Sequence, residues 1–226
     1  MRIGAPARLT LALTSLAFVG SAVVGQERQV VSLPDPVRDG GVSLERALSA
    51  RVSVREFASS SLTLGEVSQL LWSAQGETRG DGGRTAPSAG ALYPLEIYVV
   101  VGAVESLGPG IYRYRPGRHD LLSVRAGDHR SQLASAALRQ SWMRDAPIMI
   151  VVAAQYARTT GKYGERGRKY VHMEVGHTAQ NVYLQATALG LGTTFVGAFY
   201  DSQVKVIIGL PAAEHPLGIM PVGRPR

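Results

Sequence analysis

Pro147–Ala154 (PIMIVVAA) is an unbroken apolar run, short and rich in β-branched side chains, and it reads as the buried central strand of a sheet. A second strand is expected over Leu95–Val101 (LEIYVVV), which turn residues bound. Ile111–Tyr114 and Leu121–Val124, on either side of Arg115-Pro116-Gly117, form a hairpin. Shorter strands are expected at Thr193–Val196 and Gly218–Val222. Between them lie helical patterns. One short helix begins near Ser43; the next opens on the capping box Thr63-Leu64-Gly65-Glu66, carries Val67, Leu70, Leu71 and Ala74 on one stripe, and ends by Gly76. The longest runs from Tyr170 to Leu189 and stops at Gly190, and a last one spans Ser202–Ile208 before Gly209. Strands and helices alternate without regular βαβ spacing, so the fold class is α+β.

The rest of the chain is read by composition. At 226 residues with 45% hydrophobic side chains, it suffices for one domain with a core. Arg2 and Arg8 precede an acid-free apolar run from Leu9 to Val24 that small residues follow, the pattern of a signal peptide over 1–25, cleaved near Ala22 or Gly25. The mature protein is then secreted or periplasmic. The alternative is an uncleaved anchor, the one circumstance that puts the protein on a membrane. Residues 26–42 carry two prolines and Gly40-Gly41 and read as a linker or surface arm, leaving 43–226 as the folded domain. With the leader removed, the formal charge falls from +7 to +5, still basic enough to favour an anionic partner. There is no cysteine, so disulfides, thiolate metal sites and cysteine nucleophiles are excluded.

Several motifs fail on geometry. His172 and His177 stand five residues apart, about 140° around a helix, so no metal site is expected. Ala86-Pro87-Ser88-Ala89-Gly90 lacks the strand and helix that a nucleophile elbow needs. Gly190-Leu191-Gly192 follows a helix where a dinucleotide fingerprint follows a strand. The cations are not interleaved with aromatics, so nucleic acid is not an expected partner.

Arg51-Val52-Ser53-Val54-Arg55 places two guanidiniums and a hydroxyl on one side of an extended segment, either an anion cradle or a solvated basic edge. It is followed in order by Arg84-Thr-Ala-Pro-Ser88-Ala-Gly90-Ala-Leu-Tyr93-Pro94, Glu174-Val-Gly-His177-Thr-Ala-Gln180-Asn181, Val196-Gly197-Ala198-Phe199 and Pro221-Val-Gly223-Arg224. This succession resembles the nitroreductase-like flavoproteins and, within them, the SagB/ThcOx-type dehydrogenase subgroup. The resemblance implies a homodimer with an antiparallel sheet flanked by helices and FMN at the subunit interface. It further implies that Arg51 and Ser53 take the phosphate and that Arg55 reaches the ribityl chain and pyrimidine edge. Pro87, Ser88 and Gly90 would approach from the other subunit, Gly197 and Ala198 would lie beside the isoalloxazine, and Arg224 would return to the phosphate. Ala91, Tyr93, Pro94 and Leu95 stand where typical nitroreductases carry other residues, which argues against transferring nitroaromatic reduction unchanged.

Arg158–Lys169 (RTTGKYGERGRK) reads as a basic loop containing Lys162-Tyr163, with Lys169-Tyr170 overlapping its end. The subgroup uses a lysine–tyrosine pair near the flavin, and Lys162 and Tyr163 are the candidates here; the alternative is a solvated loop. Glu174, His177, Asn181 and Gln185 share a helix stripe, either a wet face or a pocket lining. The sequence thus points to an exported FMN-dependent oxidoreductase passing hydride through flavin N5 to or from a small molecule or peptide. An exported flavin-binding or docking module without turnover is the alternative.

Overall fold

The computed structural model describes residues 29–226 together with Met1 and Gly4. The expected leader's apolar run and its cleavage point lie outside the described residues.

Seven strands form one antiparallel sheet: β1 (Val30–Ser32), β2 (Leu95–Val101), β3 (Gly110–Arg115), β4 (Asp120–Ala126), β5 (Ile148–Ala154), β6 (Gly192–Thr193) and β7 (His215–Gly223). Their spatial order is β1-β4-β3-β2-β5-β7-β6. The apolar octapeptide becomes β5, paired along its length with β2 from Leu95↔Ala154 to Val101↔Ile148 and with β7 on its other edge. Its side chains alternate between two cores. Ile148, Ile150 and Val152 join Leu95, Ile97 and Val99 beneath α2 (Leu64–Gln75) and α5 (Arg166–Ala188). Met149, Val151 and Ala153 join Tyr98 and Val100 on the opposite face, where Leu133 of α3 (Arg130–Ala136) and Val204 and Ile208 of α6 (Asp201–Ile208) cover them. Helices on both faces explain why an antiparallel strand has no polar position.

The capping box at Thr63 forms as expected: Thr63 Oγ1 accepts from Glu66 N at 3.2 Å and Glu66 Oε2 accepts from Thr63 N at 2.8 Å. Three segments differ from the sequence reading. The stretch 26–42 supplies β1, which pairs with β4, and its Val37 is held by the Gln69 amide through bonds of 2.8 and 2.9 Å. A strand of three residues leaves too short an alternation to see in sequence.

The expected basic loop is instead α4 (Tyr156–Tyr163), a break at Gly164, and the first turn of α5. Thr159, Thr160 and Gly161 are weak helix formers, so packing against α5 sustains α4. Gly167 allows that contact, since a Cβ there would lie 2.9 Å from the Thr159 and Thr160 backbone. The expected strand at Thr193–Val196 narrows to Gly192–Thr193, with Val196 bridging Ile219 separately.

Candidate active site

The first cluster forms where α1 (Leu44–Ala50) ends at Arg51 and the chain becomes extended. Ser53 bridges Thr193, and Val54 N donates to Thr193 O at 3.0 Å. Val54 turns inward over Gly192, where a Cβ would lie 2.5 Å from its methyl carbon, so the glycine permits the contact. Strand alternation then directs Arg51, Ser53 and Arg55 to the other side.

Tyr183 of α5 organises this cluster. Its ring lies under the Arg51 guanidinium, 5.4 Å from centroid to carbon, and its hydroxyl approaches Ser53 Oγ at 3.4 Å and accepts from Phe195 N at 2.7 Å. Burial opposes ionisation of this phenol, but bonds with Ser53, Thr194 and Phe195 N, together with the Arg51 charge, set its pKa below the usual tyrosine value. Sequence reasoning missed Tyr183, which borders a helix stripe and belongs to no motif. Arg51 and Arg55 have no carboxylate partner among the described residues. Arg224 differs, for its guanidinium donates to Glu66 Oε1 at 2.8 Å and is already engaged within the chain.

The second cluster is the segment from Arg84 to Pro94. Arg84 stacks on Tyr93 at 4.4 Å and donates to Gln75 Oε1 at 3.2 Å. Burial lowers its pKa although Glu96 and Glu77 lie near. Thr85 Oγ1 donates to the Trp72 carbonyl at 3.0 Å, and the Asn181 amide donates to Thr85 O at 3.3 Å. Ser88 Oγ accepts from Tyr93 N at 2.9 Å, and Ala89 N donates to Glu174 Oε1 at 3.0 Å. Gly90, Ala91 and Tyr93 all have positive φ, at 62°, 54° and 44°; the glycine takes it freely, whereas Ala91 and Tyr93 carry strain of the kind functional sites store.

Lys162 and Tyr163, at the end of α4, close over this turn. A Cβ placed on Gly90 would lie 2.7 Å from Tyr163 Oη and 3.0 Å from Lys162 Nζ, so both polar ends converge on one point. The Tyr163 ring packs edge-on against Tyr170 at 5.2 Å. Pro87 is exposed beside them.

The polar stripe of α5 is mostly internal. Glu174 and Asn181 hold the 85–89 segment and Gln185 accepts from the Gln69 amide at 3.0 Å, while His177 is exposed. His172, on another side of the helix, shares a 2.6 Å hydrogen bond with Tyr156.

Glu174 is only 3% exposed, and burial pushes its carboxyl pKa up, against the opposing pull of bonds from Ala89 N and the Ser88 hydroxyl and of His177. The folded protein therefore holds this proton more tightly than the unfolded chain does. The group's contribution makes stability fall as pH rises from the ordinary glutamate value of about 4.3 through the raised folded value. Glu174→Gln should abolish that slope, measured by urea unfolding from about pH 4 to about pH 8; an unchanged slope would contradict the assignment.

The two clusters stand apart within the chain. Glu174 and Tyr183 are nine positions apart on α5, about 13 Å of rise and about half a turn. Gly197 and Ala198 form a third exposed surface, following Phe195 and steadied by the Gln140 amide at 3.5 Å from Ala198 O.

The model of the Nitroreductase family matches residues 48–224. A Methanocaldococcus jannaschii protein named as a nitroreductase is 51% identical over 194 residues, covering 86% of this chain and 96% of that one. The microcin B17-processing protein McbC of Escherichia coli is 28% identical over 132 residues, covering 56% of this chain and 48% of its own. Among solved structures, a protein of Ralstonia eutropha described as a nitroreductase superposes with a TM-score of 0.76 at 32% identity, covering 90% of this chain and 92% of that one.

Proposed function

The chain belongs to the nitroreductase family of oxidoreductases, and from that premise we propose that it is an exported FMN-dependent enzyme whose site is shared between two copies of the chain. The observation that carries this reading is that Arg51 and Arg55, at alternate positions of an extended segment with Ser53 between them, have no carboxylate partner among the described residues. These residues fit a phosphate, because a planar guanidinium binds two oxygens at once and a hydroxyl adds a further bond. Gly197 and Ala198, exposed and without bulk, fit the close approach of a flat ring. Bound FMN would supply hydride exchange at N5, chemistry that none of these side chains performs alone.

In this reading Arg51 and Ser53 hold the phosphate, and Arg55 faces the pyrimidine edge, where a cation favours the anionic reduced form. Lys162 and Tyr163 remove or return a proton at the substrate atom brought to the Gly90 turn. Two features support a second copy of the chain. The clusters occupy different sides and levels of α5, and Leu44, Leu48 and Val52 beside the cradle are 60%, 51% and 63% exposed, an apolar face suited to a subunit contact. The likeness to a microcin-processing protein supports a peptide or other small molecule with an oxidisable or reducible bond as substrate.

Titration of the purified protein with FMN, followed by flavin fluorescence, tests the cradle. Arg51→Ala should weaken binding by about 10- to 100-fold, the value of a charge-assisted hydrogen bond, with little change in the unfolding midpoint. Unaltered FMN affinity would remove Arg51 from the site. A yellow protein that no nicotinamide donor bleaches would fit a flavin-binding module without turnover.

A further inference from the structure

Glu174 is a buried acid with no cationic partner within salt-bridge distance among the described residues, set at the centre of the second cluster. Such a group costs stability unless hydrogen bonds satisfy it, and its carboxylate accepts from Ala89 N at 3.0 Å, with the Ser88 hydroxyl close by. Ser88 Oγ accepts from Tyr93 N, so its own proton is free to point toward the carboxylate. One helical turn before Glu174 on α5, Tyr170 packs against the Tyr163 ring. A single helix therefore touches both parts of the cluster: Glu174 holds the Ser88–Gly90 turn, and Tyr170 packs against the tyrosine that meets it.

We propose that Glu174 is a positioning residue, whose carboxylate pins the Ser88–Gly90 turn so that Lys162 Nζ and Tyr163 Oη converge on the point where substrate is handled. Glu174 touches neither Lys162 nor Tyr163 and acts through the backbone of Ala89. The turn has reason to move without it, because Ala91 and Tyr93, which continue it, are non-glycine residues at positive φ and surrounding contacts must hold them there. The inference rests on the reading that Lys162 moves a proton in turnover.

The test uses FMN-loaded full chain and a donor–acceptor pair that the wild-type protein turns over. Glu174→Ala should lower kcat per bound FMN by about 10- to 100-fold, the cost of misplacing a catalytic group by about 1 Å. Glu174→Gln keeps an oxygen that can accept from Ala89 N, and should recover kcat to within about threefold of wild type.

The readout that separates positioning from general structural support is coupling. In a Lys162→Ala background, Glu174→Ala should lower kcat no further, since the group it positions is gone. Wild-type kcat in Glu174→Ala, or full additivity with Lys162→Ala, would overturn the proposal. If Glu174→Ala does not fold, Glu174→Asp, one methylene short of Ala89 N, takes its place with the same expectations. If Lys162→Ala itself leaves kcat unchanged, the underlying reading of Lys162 fails; if it lowers kcat and Glu174→Ala does not, only the positioning role fails.

Discussion

Lys162→Ala should lower kcat of the FMN-loaded enzyme by about 10²- to 10⁴-fold, the usual contribution of a general acid or base, while the protein stays yellow. The expectation follows from where the side chain ends. Lys162 Nζ and Tyr163 Oη lie 3.0 and 2.7 Å from one point above Gly90, the arrangement of two groups that share a proton's path. The lysine also lies over the Tyr163 ring, 5.4 Å from its centroid. Retention of flavin is part of the prediction, because the proposed phosphate site at Arg51 and Ser53 is built around Tyr183 on another side and level of α5. Stopped-flow measurement of both half-reactions would locate the loss in the step that needs a proton. A variant with kcat within about threefold of wild type would show that the lysine is not used in turnover.

Glu96→Ala should cost about 3 kcal/mol of stability, because it leaves two guanidiniums packed against a vacant site. Glu96 projects from β2, is 8% exposed, and accepts from Arg113 at 2.7 Å and from Arg158 at 2.5 Å. The lower end of the range for breaking a buried pair applies, since the arginine side chains keep 32% and 35% of their surface in water. Glu214, with no exposed surface, is 4.0 Å from Arg113 and accepts from Tyr98 at 2.8 Å, so it gives partial compensation. Arg158 also donates to the Tyr93 carbonyl at 2.8 Å, tying the start of α4 to the strained segment. Glu96→Ala should therefore impair turnover as well as folding. Urea unfolding monitored by tryptophan fluorescence reads the stability, and a loss below about 1 kcal/mol would mean that the arginines find other partners.

What the sequence revealed depended on whether a residue's partner was near in the chain. The capping box at Thr63, the two-core strand at Ile148–Ala154 and the hairpin around Pro116 are local patterns, and each is legible. The helix α3 was not anticipated, because its buried side chains are Leu133 and two alanines, too few to mark a period. Residues 158–169 read as a loop for the opposite reason. Their cations look solvated, yet Arg158 is held by Glu96, which lies 62 positions away. The same limit applied at the site. Arg51, Ser53 and Lys162 stand in recognisable motifs, whereas Tyr183 and the burial of Glu174 emerge only when α5 is placed against the segments at 51–55 and 85–90.

The central claim, that Arg51 of one chain works with Lys162 of another, is tested by mixing two inactive proteins. Arg51→Ala and Lys162→Ala chains, combined in equal amounts and allowed to exchange subunits, should regain about one quarter of wild-type activity at an FMN concentration that fills sites with Arg51 but leaves those without it empty, since half the dimers would each contain one intact site. If both residues of a site came from the same chain, every site would carry a defect. No recovery despite demonstrated subunit exchange would contradict the shared site.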